Sequence, residues 1–283
     1  LGILIPPSIN MIVYGVLTDT SIPRLYLAGL IPGLILACLF SLTVLVICWL
    51  RPELGGVPKK ASWQQRIKAL PDLIPPLVIF IAVIGSIYGG LATATESAAL
   101  GVIAALGVAA WHGKLSFRML KMAFEGTMRT TAMIMAILIA AYFLNFVITA
   151  IGLTAQVNSA ITELQLSPLQ LLIVVIAFYI VLGMFMETLS MMVATVPIIT
   201  PVIIGAGFDP VWFGVMIVIL LEMAMITPPV DINLYVVQGL RKKGKINDVI
   251  IGASPFVIAL LAMLIALTIW PEIALWLPSV ASN

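Results

Sequence analysis

The chain has 283 residues, 62% of them hydrophobic and 9% charged, with a net charge of +2 and a mean hydropathy of +1.21. About a quarter of the residues of a soluble domain are charged, so this composition excludes a soluble fold and defines an all-α polytopic membrane protein embedded in a lipid bilayer. The small net charge, with its basic residues gathered in loops, excludes a nucleic-acid partner, and Cys38 and Cys48 in one apolar run read as small core residues, not a disulfide or metal pair.

Residues 1–50 read as the end of a broken helix and the transmembrane helix after it. The break is Ile5-Pro6-Pro7-Ser8-Ile9-Asn10. Proline has no N–H and displaces the carbonyl four residues earlier, so Pro6 and Pro7 free the carbonyls of Gly2 and Ile3. A turn with Asp19, Pro23 and Arg24 follows, then an apolar run from Leu25 to Leu50, ample for the ~20 residues a bilayer core requires.

The connection 51–72 holds Arg51, Lys59, Lys60, Arg66 and Lys68, a basic cluster of the kind that marks the cytoplasmic side. Within it Trp63, Ile67 and Leu70 recur at helical spacing and predict a short interfacial helix, with a solvated loop as the competing reading.

Residues 73–153 supply scaffold helices: Leu73 to Ala92 outward, Ser97 to Trp111 back, and Thr130 to about Gly152 outward again. Thr93 and Glu96 have capping-box spacing, a reading preferred here to an ion-carrying role for Glu96. His112, the single histidine, has no cysteine or acidic cluster in its sequence neighbourhood and reads as a helix end rather than a metal ligand. In 114–129, Lys114, Arg118, Lys121 and Arg129 oppose Phe117, Leu120, Phe124 and Met128, which predicts an amphipathic helix on the cytoplasmic surface.

Residues 154–283 complete a second unit of the same kind. The stretch 168–204 has two apolar arms around Gly183-Met184-Phe185-Met186-Glu187-Thr188, and the second arm carries Pro197 and Pro201. Those prolines and the arm lengths favour a re-entrant hairpin over two thin spans. A broken helix follows over 211–240, interrupted at Ile226-Thr227-Pro228-Pro229-Val230-Asp231-Ile232-Asn233, where the prolines free the carbonyls of Ala224 and Met225. The basic run Arg241 to Lys245 then falls inside, and the final transmembrane helix, 246–270, leads to an exterior C-terminus.

The two breaks correspond. Each is followed by a polar connection and a Gly-x-x-Pro ahead of a long apolar run, Gly29 to Pro32 and Gly252 to Pro255, at offsets that differ by one residue. Paired interruptions of this kind point to an inverted-repeat transporter with its binding site where the broken helices meet. Three acidic residues fall in the membrane: Glu187, Glu222 and Asp231. Each also has a structural reading, Glu187 as cap of the second hairpin arm, Glu222 as a partner between helices, and Asp231 in the first turn of a half-helix. No HExxH, no serine with a histidine partner and no phosphate-binding loop is present, so the chain reads as a transporter, not an enzyme.

Four stretches taken together carry a family resemblance: Gly89 to Ala98, Ile5-Pro6-Pro7-Ser8, Pro197-Ile198-Ile199-Thr200-Pro201, and Thr227-Pro228-Pro229-Val230 with Asn233-Leu234-Tyr235. In this order they resemble the large membrane subunit of tripartite ATP-independent periplasmic (TRAP) transporters. The resemblance implies a sodium-driven, elevator-type importer of organic acids (carboxylates) in the bacterial inner membrane, with a periplasmic C-terminus. Its partners would be a periplasmic substrate-binding protein and a small membrane subunit, separate or fused. It further implies that the sequence is a C-terminal portion whose first scaffold helices and hairpin lie upstream.

Residue by residue, the resemblance places one sodium site on Gly183, Ala224, Thr227 and Val230, and the pseudo-symmetric one on Gly2, Ile5 and Ser8. Ser8, Asn10, Asp231 and Asn233 would face the substrate. Asp231 stands where the family usually has glycine, and Ala94 replaces a usual proline. The competing class is a stand-alone anion/sodium or anion/proton symporter with Glu222 or Glu187 as proton carrier. A more distant one is an intramembrane enzyme using Glu222 and Asp231.

Overall fold

The computed structural model describes residues 1–55, 62–153, 155, 156, 159, 163–227, 232–240 and 244–281, and for residues 232, 233 and 235 the backbone alone. In chain order its main helices are α1 (Ile9–Thr18), α2 (Ile22–Leu50), α3 (Trp63–Tyr88), α4 (Ala94–Trp111), α5 (Phe117–Ala150) and α6 (Pro168–Gly183). They continue as α7 (Thr188–Gly205), α8 (Pro210–Ala224), α9 (Ile232–Leu240), α10 (Ile246–Ile269) and α11 (Glu272–Ala281). Among the described residues six of them, α2, α3, α4, α5, α7 and α10, are long and apolar enough to cross a bilayer. This is the architecture of a polytopic α-helical membrane protein.

The chain forms two compact units, Leu1–Val44 with Met135–Asn283, and Leu45–Ile134. In the second of these, α3 packs on α4. Ser86 and Ser97 share a buried hydroxyl–hydroxyl hydrogen bond of 2.8 Å, and Gly101 leaves room for Val83. Small residues and hydroxyl pairs are what hold membrane helices together, because lipid offers no hydrophobic contrast.

Two helices run further than the sequence implied. A short helix does form over Trp63–Ala69, with Ser62 and Gln65 closing a capping box at its start. It is not a separate element, since Leu70–Leu73 tightens into a 3-10 turn and the chain continues into α3. Pro71, Pro75 and Pro76 fall in the first turns of the pieces that follow, where their missing N–H groups cost nothing. Likewise 114–129 is not a free-standing surface helix, because α5 is continuous over 34 residues, about 51 Å. No proline or paired glycine separates its basic, amphipathic start from its apolar remainder. Thr93 and Glu96 form the expected capping box, with Glu96 accepting the Thr93 N–H at 2.8 Å.

The other unit is built around α8. All of its residues except Pro210 and Glu222 are buried, against α1, α6, α7, α10 and α11. Asp209 caps it, accepting from the N–H groups of Val211 and Trp212 at 2.7 and 3.0 Å. The Trp212 indole N–H donates to the Leu267 carbonyl of α10 at 2.9 Å. The first broken segment closes on α2 through glycine. A Cβ on Gly29 would lie 2.3 Å from Met11 Cε and 2.8 Å from the Leu4 carbonyl oxygen, so only glycine lets the two segments meet.

Tyr14, fully buried on α1, donates to the Pro210 carbonyl at 2.7 Å and ties α1 to the start of α8. Tyr14→Phe keeps the ring and deletes the donor. It should cost about 1 kcal/mol, near the typical worth of a membrane side-chain hydrogen bond, and lower the unfolding temperature in detergent by a few degrees. An unchanged melting curve would show that water takes over that carbonyl.

Candidate functional site

The hairpin consists of α6 and α7, which pack on each other and are pinned by a buried hydrogen bond of 2.7 Å between the Tyr179 and Thr195 hydroxyls. Its tip, Met184 to Glu187, turns where Gly183 ends the first arm. Glu187 then caps the second arm, its Oε2 accepting from the N–H groups of Leu189 and Ser190 at 3.0 and 3.1 Å. Its carboxylate therefore holds α7 in place.

Gly183 and Ala224, assigned to one site from the sequence, do come together. A Cβ on Gly183 would lie 2.1 Å from Ala224 Cβ and 3.4 Å from Met191 Cε, so the hairpin tip rests directly on the end of α8. Thr227 lies just beyond, its hydroxyl donating to the Met223 carbonyl at 2.7 Å. The Ala224 carbonyl is less free than the proline argument implied. It loses its α-helical partner at Pro228 but accepts the Thr227 N–H in a tighter turn, at 3.3 Å. Pro228, Pro229, Val230 and Asp231 lie outside the described residues, as does the side chain of Asn233.

At the first break, Ser8 is buried and caps α1, accepting the Met11 N–H at 3.3 Å and donating to the Ile3 carbonyl. The Ile3 carbonyl, freed by Pro7, is thus taken by a hydroxyl of the same segment. A hydroxyl oxygen has two lone pairs, so Ser8 keeps one for a further partner. Ile5 places its side chain in the gap left by Gly33 on α2, and its N–H donates to the Leu1 carbonyl at 3.0 Å.

Between the two breaks lies a pocket of about 270 Å³ lined by Gly2, Ile3, Pro7 and Asn10 from the first, Glu187 and Thr188 from the hairpin tip, and Met225 from the end of α8. Asn10 is 5% exposed, and its side-chain nitrogen has no hydrogen-bond partner among the described residues. A buried donor left unpaired costs roughly 1–3 kcal/mol, so a ligand that accepts from it recovers that energy. Glu222, one turn before the second break, keeps Oε2 buried without a partner among the described residues.

Of the residues lining this pocket, sequence reasoning singles out Gly2, Ile3, Pro7, Asn10 and Glu187, and the family resemblance pairs Gly183 with Ala224. Neither singles out Thr188 or Met225 as lining residues. Thr188 had a signal, since it is the first residue of the second hairpin arm, where N–H groups face the break. Met225 had one too, being the last residue before the double-proline stretch.

Fold and site together define a polytopic membrane protein whose interrupted segments and hairpin tip converge on a small pocket. A profile for the DctM component of tripartite ATP-independent periplasmic transporters matches residues 1–273, and the chain belongs to that family. It is 34% identical to the C4-dicarboxylate TRAP transporter large permease protein DctM of Rhodobacter capsulatus, over 99% of this chain and 66% of the relative. It is 32% identical to the ectoine/5-hydroxyectoine large permease UehC of Ruegeria pomeroyi, over 99% and 65%. Against the sialic acid large permease SiaM of Vibrio cholerae the identity is 31%, over 98% and 65%. The chain thus spans just under two thirds of the length of these relatives, all of which are named as transporter permeases and none as an enzyme.

Proposed function

We propose that this chain forms part of the large permease subunit of a sodium-coupled TRAP transporter of the inner membrane. In this reading it imports organic acids delivered by a periplasmic binding protein and works with a small membrane subunit. The observation that carries the proposal is the pocket between the two breaks, with the unpaired Asn10 amide buried in it. Broken helices at membrane depth are tolerated where they line such a cavity, and in transporters their ends hold ions and anionic solutes. Asn10 donates to a substrate carboxylate, with Ser8, Asp231 and Asn233 as the other substrate-facing positions. Sodium takes oxygens from Gly183, Ala224, Thr227 and Val230 at one break and from Gly2, Ile5 and Ser8 at the other, a hard-ion set of carbonyls and hydroxyls.

Alternating access follows as movement of the hairpin and both broken helices as one body, the elevator scheme of inverted-repeat transporters. Relatives named for dicarboxylates, ectoine and sialic acid share this part of the sequence, so the binding protein selects among solutes and the permease accepts a common carboxylate. The stand-alone proton symporter is disfavoured by Glu187, whose Oε2 is committed to capping α7.

The test is uptake by the full-length permease in proteoliposomes under a Na⁺ gradient, with small subunit and binding protein present or omitted. Thr227→Ala should raise the sodium concentration for half-maximal uptake about 10-fold, the worth of one ligand oxygen at ~1.4 kcal/mol, while leaving maximal uptake near wild type. Uptake that proceeds without the binding protein, or that follows a proton gradient alone, would overturn the proposal.

A further inference from the structure

A second, larger cavity of about 690 Å³ lies at the opposite ends of α1 and α7 from the pocket just described. Both helices run from one cavity to the other: Asn10 and Thr188 line the first, and Thr18, Asp19 and Thr200 line the second. Asn145 and Thr149 of α5 complete its polar wall. This is the end of α7 beside the turn at Gly205 to Pro210, which the charge pattern places outside.

Four observations give this cavity one sign of charge. The C-terminal ends of α1, α5 and α7 all converge on it, each bringing the negative end of a helix dipole. Pro201 supplies no N–H to the carbonyl of Pro197, which also lines the wall. The Asp19 carboxylate makes no hydrogen bond or ion pair among the described residues, the cap of α1 being closed by its backbone N–H on Gly15. The Thr200 hydroxyl, on a residue only 3% exposed, neighbours the Tyr14 hydroxyl; because Tyr14 donates to Pro210, Thr200 can only donate to it and keeps its oxygen lone pairs for a further partner. Among the described residues, no lysine, arginine or histidine lines the cavity.

We propose that this cavity is an outer vestibule that binds Na⁺, held by the Asp19 carboxylate, the Thr200 hydroxyl and the carbonyl ends of three helices. The oxygen-only set suits a hard cation, and the volume leaves the ion much of its water. The sodium-coupled reading above supplies the identity of the ion; the preference for a cation stands on the residues alone. The vestibule lies the length of α1 away from the breaks, some 15 Å, so it concentrates sodium at the mouth rather than serving as either inner site.

The experiment uses the full-length permease with its companion subunits, measuring ²²Na⁺ binding in detergent and Na⁺-driven uptake in proteoliposomes. Asp19→Asn keeps a residue that tolerates the left-handed conformation found at this position (φ 52°) and removes only the charge. It should raise half-saturating sodium about 3- to 5-fold at low ionic strength, with the difference shrinking as choline chloride is added. Thr200→Val fits the same space, should fold normally, and should raise half-saturating sodium about 2- to 5-fold at either ionic strength by deleting one oxygen. Glu163→Gln, which neutralises another exposed charge, should change nothing. Wild-type sodium binding in both Asp19→Asn and Thr200→Val, with uptake still driven by Na⁺, would remove the vestibule and leave the sodium-coupled reading intact. Uptake indifferent to Na⁺, with ²²Na⁺ binding that still weakens in both variants, would remove the coupling and leave the vestibule.

Discussion

Gly183→Ala should displace the hairpin from the end of α8 and abolish sodium-dependent uptake. The added methyl would sit 2.1 Å from Ala224 Cβ and 3.3 Å from its Cα. Carbon atoms at rest stay about 3.5–4.0 Å apart, and neither obstacle is the tip of a flexible side chain, so backbone has to move by more than an ångström. Overpacking of this kind costs roughly 1–3 kcal/mol. The larger effect is on function, because carbonyl and hydroxyl ligands a full ångström out of place no longer form one coordination shell. The measurement is a pair, thermal unfolding in detergent and Na⁺-dependent uptake. The double variant Gly183→Ala with Ala224→Gly moves the methyl to the other side of the contact and should restore both. Normal uptake in the single variant would mean that the tip does not rest on α8.

Asn10→Leu should separate stability from transport. The amide nitrogen is buried without a partner among the described residues, so an apolar side chain of similar volume removes a desolvated donor and should leave the unfolding temperature unchanged or raised. Uptake should fall, because a hydrogen bond to a charged group is worth about 1.5–3 kcal/mol, corresponding to a roughly 10- to 100-fold weaker apparent substrate affinity. A binding-site residue and a structural residue answer this substitution in opposite ways. If Asn10→Leu destabilised the protein while sparing affinity, the amide would belong to the packing and the pocket would lose its substrate role.

Much of this arrangement was legible in the chain. Apolar run lengths gave the spans, and proline pairs gave the breaks, because both act through the local backbone. The Gly183–Ala224 contact came from resemblance and was then met in space. What the chain concealed depends on continuity or on distance. Nothing within 114–150 breaks a helix, yet the change from basic and amphipathic to apolar read as two elements. The Ser62–Gln65 and Ser167–Gln170 capping boxes follow a visible spacing, but polar stretches beside long apolar runs attract little notice. The fate of the freed carbonyls could not be read at all. Ile3 is satisfied by Ser8 and Ala224 by Thr227, local rescues that depend on how tightly each turn closes. The Tyr14 hydroxyl meets the Pro210 carbonyl nearly two hundred positions along the chain, and no period or motif announces it.

Apart from Glu222, the fifteen residues of α8 are apolar on every side, a pattern that by composition alone would be assigned to lipid. At about 22 Å the helix is too short to cross a ~30 Å hydrocarbon core, and its surroundings are other helices. It can therefore settle only once its neighbours exist, and α10, part of its enclosing wall, is made after it on the ribosome. Until then the break and its carbonyls stand half-assembled, so the proposed sodium site is among the last features to form. In the finished protein the same enclosure means that the amides of α8 meet water only when the whole unit opens, and they set the slow limit of hydrogen exchange for the entire chain.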